Sequence, residues 1–326
     1  MKGETDMAEG QHRRWIGIAI AVAAVVVLVI VLVLASGSGG AGKRQAAKTA
    51  DRVAVAAAER ASRAPSVEPG QPVPGELFTN EMISLMDAEL HRSWGGWRPN
   101  NMIIGGVIPL DNVENYQLGV LSVIRRVSIV MREKLARPGG GSDAFDPHVE
   151  LAMNRFHTDE TSFWMPDAKK MFAEGVNELR IYVQNLRNGS AQFQPRSDNI
   201  YELFYAFRDI LGDCHQQLVK SHEKEGKPVS YFKTDDYYYF SKGAAHAVLG
   251  LARVLPREFD FEVRAKGGLE PLKEMIESLE VADGPSPWIV LNGGETDLRA
   301  NHRRNLAGWI GDARMKVISL LDTLNK

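Results

Sequence analysis

Beyond residue 76 the apolar positions return every three or four residues, the period of helices with one buried face. Val120, Val123, Ile124, Val127, Val130 and Met131 form one stripe. Met171, Phe172, Val176, Leu179, Tyr182, Val183 and Leu186 form a second, closed by Asn188-Gly189 as a C-terminal stop. Ile200, Leu203, Phe204, Phe207, Ile210, Leu211, Cys214 and Leu218 form a third, with Asp198 as its expected N-cap. Val248, Leu251, Ala252 and Leu255 predict a helix stopped by Pro256; Leu272, Met275, Ile276 and Leu279 predict a shorter one. Leu306, Trp309, Ile310, Ala313, Val317, Leu320, Leu321 and Leu324 predict the last, and Met82, Ile83, Met86 and Leu90 one more at the start. Only residues 101–110, 259–264 and 288–291 read as short strands. The pattern predicts about seven helices in an all-α, multi-helix, bundle-like domain over 76–326, with the Gly139-Gly140-Gly141 loop as the one place where it would split.

Upstream the pattern changes. Residues 15–34 carry no charge, and 14 of these 20 positions are Ile, Val or Leu, with Trp15 at the boundary. At about 1.5 Å per residue the run crosses the ~30 Å hydrocarbon core, and it is longer than a cleaved signal core of roughly 7–15 residues. A single N-terminal transmembrane helix behind a short tail (1–14) is therefore expected. Arg13 and Arg14 abut the run and favour a cytoplasmic N-terminus, although Lys43, Arg44, Lys48 and Arg52 follow it. The connection, 35–75, reads as a Gly/Ser hinge, an alanine-rich stalk of net charge +4 over 43–64, and a Pro-rich linker. The stalk's apolar face is mostly alanine, which favours a solvated spacer over a membrane-surface helix.

The full chain has 326 residues, with 39 Lys+Arg against 41 Asp+Glu, so no overall charge draws it to nucleic acid. Hydrophobic residues make up 44% and charged residues 25%, values of a globular chain. The lone cysteine, Cys214, has no disulfide partner and falls in an apolar stripe, so it reads as core.

Candidate chemistry is sparse. His148, His157, Asp159 and Glu160 are possible metal ligands, but their spacing matches no zinc signature, and two histidines flanking a short helix is the favoured reading. Asp235, Tyr239, Lys242 and His246 fall at i, i+4, i+7 and i+11, one polar helix face suited to acid–base catalysis or simply to solvent, with Asp235 then helping to cap the helix N-terminus. Trp94 and Trp97 flank a Gly-Gly turn and read equally as partner anchors or as core rings. The glycine pairs at 267–268 and 293–294 lack a phosphate-loop ending, and no nucleophile elbow or kinase signature occurs. His302-Arg303-Arg304 reads as a solvated helix start, not a nucleic-acid contact. No cofactor is implied.

Several strings together resemble a known family. Trp94-Gly-Gly-Trp-Arg-Pro-Asn100, Asp111-Asn112, Tyr116-Gln-Leu-Gly-Val-Leu121, Arg125-Arg126, Phe163-Trp-Met-Pro166, residues 189–199 and the 306–324 helix are similar to a proteobacterial inner-membrane family, domain of unknown function 2333. The resemblance implies a Gram-negative inner-membrane setting with one N-terminal span, and it implies no activity or site residues. Besides membrane or glycan binding through Trp94 and Trp97, two readings of function stand. One is a non-enzymatic scaffold with an exported, periplasmic domain and a protein partner in the envelope. The other is a membrane-proximal enzyme, such as a metal-dependent hydrolase, working from the Asp235–His246 face.

Overall fold

The amphipathic stripes do become helices, and side-chain caps mark where several of them begin. The computed structural model describes residues 71–93, 95–100, 111–137, 144–223, 226–284 and 301–325. In chain order the elements are α1 (Glu76–Leu90), α2 (Asp111–Val130), α3 (Pro147–Phe156), α4 (Ala168–Arg187), α5 (Ser197–Val219), α6 (Tyr231–Glu258), α7 (Asp260–Ala265), α8 (Leu269–Ala282) and α9 (His302–Leu324). A π-helical turn, Met131–Leu135, extends α2. The fold is all-α: the described residues hold no strand, and strand-like pairing is limited to isolated bridge residues such as the His222–Pro228 pair. Asp146 starts α3 by accepting from the amides of His148 and Val149, with Pro147 in the first turn where its missing N–H costs nothing. Asp167 and Ser230 do the same for α4 and α6. Gly189, at φ 76, ends α4 in the left-handed region that favours glycine.

Three expectations are corrected. Residues 259–264 are not a strand: Phe259 is the turn into the short helix α7, Asp260–Ala265, and six residues are too few for periodicity to separate the two. Pro256 does not stop α6, which runs to Glu258, because a proline one turn from the end removes a single ladder bond. Asp198 lies within α5, whose N-cap is Arg196. Residues 101–110 and 288–291, the other expected strands, and Gly139 to Gly141 lie outside the described residues. So does the expected span, 15–34; among the described residues no helix is long and apolar enough to cross a membrane.

Residues 67–326 make one compact unit. At its centre α6, the longest helix at 28 residues, packs against α2, with α1, α3 and α4 to one side and α5, α8 and α9 to the other. Ala244, Ala245, Ala247, Val248, Leu249, Leu251, Ala252 and Leu255 are all buried, so this stretch of α6 is apolar nearly all round, as a central helix must be. The crossing with α2 is made by glycine. A Cβ on Gly119 would lie 2.0 Å from the Phe240 carbonyl oxygen, and one on Gly243 would lie 2.0 Å from that of Tyr116. The two backbones touch there.

The N-terminus of α1 has no cap of its own. Glu258, at the end of α6, supplies one: its carboxylate accepts from the amides of Gly75 at 2.8 Å and Phe78 at 3.0 Å. Burial pushes the Glu258 pKa up, against those amides. Beside it Glu76 accepts from Arg187 at 2.6 Å, and this bond, ahead of the opposing effect of burial, holds its carboxyl below the ordinary 4.5. A lowered folded-state pKa contributes stability above the unfolded value that is lost as pH falls through the folded one. Glu76→Gln is therefore expected to lose no more than about 1 kcal/mol at pH 7, since Arg187 is largely exposed. Urea midpoints of the two proteins should converge in acid, below the folded-state pKa of Glu76.

Candidate functional site

The segment joining α3 to α4 is built as a tip on a hydrogen-bonded frame. Phe163, Trp164 and Met165 stand in succession with 50%, 75% and 86% of their surface exposed. Three large apolar side chains in a row facing water are out of place in a loop unless something covers them. The frame beneath them is closed. Thr161 donates from its amide and hydroxyl to Asp159 Oδ1, which holds that carboxyl below its ordinary pKa. Ser162 Oγ donates to the Pro166 carbonyl, and the Ala168 amide donates to the Ser162 carbonyl at 2.9 Å. Asn100 Nδ2 donates to the Ser162 carbonyl at 3.1 Å and to Asp167 Oδ1 at 3.0 Å.

Residues far apart in the chain hold that frame to the body. Arg125, on α2, donates to the carbonyls of Phe156 at 2.7 Å and Thr158 at 2.6 Å and to the Glu160 carboxylate at 2.9 Å. Trp97 donates from its indole nitrogen to the Glu160 carbonyl at 3.0 Å and packs edge-on against Phe172, ring centroids 5.0 Å apart. At 1% exposure Trp97 is a core residue, so it does not serve as the partner anchor considered from sequence. Trp94, the other half of that expectation, lies outside the described residues. Gln117 completes the support: its amide donates to the Glu89 and Gly96 carbonyls and accepts from the Arg98 amide, three bonds for one fully buried side chain. Trp164, by contrast, faces outward. Its signal in the sequence is an apolar run with neither helical nor strand period, wedged between a polar turn and a proline.

The polar face of α6 takes a different form from a solvated surface. Tyr239, Lys242 and His246 line a cleft of about 400 Å³ together with Arg92, Asn112, Tyr116 and Asp283. Asp235 is not among the lining residues, and it does not cap α6, which starts a turn earlier at Ser230. His246 Nδ1 lies 2.9 Å from Asp283 Oδ2, a base and its orienting carboxylate. Lys242 is buried and donates to the backbone carbonyls of Ala282 and Gly284, which finishes the end of α8; burial draws its pKa down. Arg92 is held by both oxygens of Glu89, at 2.8 and 2.9 Å, and lies over the Tyr116 ring. Burial, then the charges of Asp283 and Glu89, push the Tyr116 hydroxyl far above its ordinary pKa, so it stays protonated. The cleft thus holds one acid–base pair and cations already engaged with the protein itself.

The expected metal ligands are not assembled. His148 pairs with Glu178 at 2.7 Å, His157 bonds the Met153 carbonyl, Asp159 serves its own turn and Glu160 pairs with Arg125. The two histidines sit at opposite ends of α3, nine positions apart, which at 1.5 Å per residue is roughly 13 Å. Among the described residues no three His, Cys, Asp or Glu side chains are placed to hold a metal ion. Cys214 is buried, with its thiol pushed up to about 12 by desolvation. Arg303 is not solvated as its sequence neighbourhood suggested; it is buried and donates to the carbonyls of Gln217, in the last turn of α5, and of Lys220 just after it.

A family model described as an uncharacterized protein conserved in bacteria (DUF2333) matches residues 9–326. No curated protein and no solved structure matches the chain.

Proposed function

The chain belongs to the bacterial family DUF2333, and from that premise we propose that it is a non-enzymatic, membrane-anchored scaffold of the cell envelope that docks through the Phe163–Trp164–Met165 tip. Residues 15–34 are its anchor in the inner membrane, 1–14 a cytoplasmic tail, 35–75 its tether, and the helical domain from Glu76 on lies in the periplasm. The observation that carries this reading is the tip: three consecutive apolar side chains, 50–86% exposed, on a frame held by Asn100, Trp97 and Arg125. Building a rigid support under an apolar surface costs solubility and is favoured only where that surface is covered in use. The apolar, uncharged run at 15–34 supports the anchor, and its length against the ~30 Å bilayer core supports a full span.

A second reading, catalysis from the α6 cleft, is favoured by the His246–Asp283 pair. One comparison separates the two. Full-length chains carrying Phe163→Ser with Trp164→Ser are expected to keep the wild-type urea midpoint yet fail to complement a deletion strain. His246→Ala is expected to complement. The opposite pattern, failure of His246→Ala and success of the tip variant, would move the function to the cleft.

A further inference from the structure

We propose that the tip inserts its three apolar side chains into the interfacial layer of the same lipid bilayer that holds residues 15–34, so that the domain is fastened to the membrane at two points. The inference rests on the reading of the tip as the docking surface and names what it docks to.

The chemistry of the tip suits a bilayer surface. Residues 161–166 carry no charge, and tryptophan beside phenylalanine and methionine is the composition that settles at the boundary of headgroups and acyl chains. At headgroup depth water still reaches the backbone of an inserted loop, unlike in the hydrocarbon core, so only the base of the loop needs partners within the protein. That base is bonded internally: the Ser162 carbonyl accepts twice, from Ala168 and Asn100, and the Pro166 carbonyl accepts from Ser162 Oγ. Behind the tip, Lys169 and Lys170 are exposed on the first turn of α4, two cations beside an uncharged loop. The nearby carboxylates of Asp159 and Asp167 are committed to their own turn and cap.

Affinity separates a bilayer from a diffusing protein. Three side chains give a weak contact, with a dissociation constant in roughly the millimolar range, which a protein partner at cellular concentration would seldom fill. A domain tethered to the bilayer meets that surface at an effective concentration of about the same size, and a weak tip then suffices.

The reach also fits. The pairs Glu76–Arg187 and Asp87–Arg180 set α1 and α4 antiparallel, so the start of the domain and the tip stand at opposite ends of the 20-residue α4. That separation is about 30 Å. A 41-residue connection, 35–75, spans roughly 35 Å even as a random coil, enough for the domain to lie against the membrane tip-down.

The test uses the full chain with Met165→Cys, reconstituted into vesicles of phosphatidylethanolamine and phosphatidylglycerol and labelled with an environment-sensitive nitrobenzoxadiazole dye. Cys214 is buried and stays unlabelled. The expected result is blue-shifted, several-fold brighter emission, quenched more by lipids spin-labelled near the headgroup than by those labelled at the chain end. Adding Phe163→Ser and Trp164→Ser should return the dye to its emission in water. Water-like, unquenched emission from the intact tip would overturn the proposal. In that event a photo-crosslinker at position 164 in cells decides what falls with it: a protein adduct leaves the docking reading standing with a different occupant, and no adduct removes both.

Discussion

Gly243→Ala is expected to be the most damaging single-methyl substitution in the protein. The added Cβ would meet the Tyr116 carbonyl oxygen at 2.0 Å, and the obstacle is the backbone of α2, which cannot rotate away as a side chain would. Gly119→Ala presents the same collision from the other helix, 2.0 Å from the Phe240 carbonyl oxygen. The α2–α6 pair is the axis of the fold, so separating it disturbs the packing of every helix that leans on it. Overpacking in a core costs about 1–3 kcal/mol when side chains can yield, and here the loss should reach or pass the top of that range. Gly308→Ala is the control. It lies on the exposed side of α9 with nothing within 4 Å of its added Cβ, and it should gain about 1 kcal/mol from helix propensity alone. Urea unfolding of the three variants checks both signs.

Trp97→Ala and Trp164→Ala should separate as widely as two tryptophan truncations can. Trp97 is 1% exposed, stacks edge-on against Phe172 and donates to the Glu160 carbonyl. Its loss leaves a cavity and an unpaired carbonyl, an expected cost of about 3–5 kcal/mol. It should also loosen the base of the tip, seen as faster amide exchange at Thr158 and Ser162. Trp164 is 75% exposed, and its truncation should fall within about 0.5 kcal/mol of wild type. Equal losses from the two would mean that the tip packs against the body and is no docking surface.

The pattern of the sequence carried the helices well because α2, α4, α5 and α9 are each 20 residues or longer and carry one apolar stripe over three or more turns. It failed where the signal is short, as at α7, or where one residue type was given too much weight, as at Pro256. Periodicity placed Tyr239, Lys242 and His246 on one face of α6 but was silent about Asp283, which meets His246 across a gap of 37 positions. Gly119 and Gly243 look like ordinary helix-weakening residues until the crossing sets one against the other's helix. The tryptophans of the Trp94–Asn100 string drew the eye for their composition, yet the described one, Trp97, supports the site and Trp164 presents it. A buried and an exposed indole are the same letter in a sequence; which is which depends on Arg125, Gln117 and Phe172, all remote in the chain.

The central claim, that the tip is the contact surface of a tethered domain, is tested most directly by photo-crosslinking in intact cells of the source bacterium. A photoreactive phenylalanine analogue would replace Trp164 in the full-length chain, and in a parallel chain Trp309, an indole 45% exposed on α9. The account predicts a strong, discrete adduct from position 164, lipid or protein, and little from 309. No adduct from 164, or the same diffuse background from both positions, would contradict it.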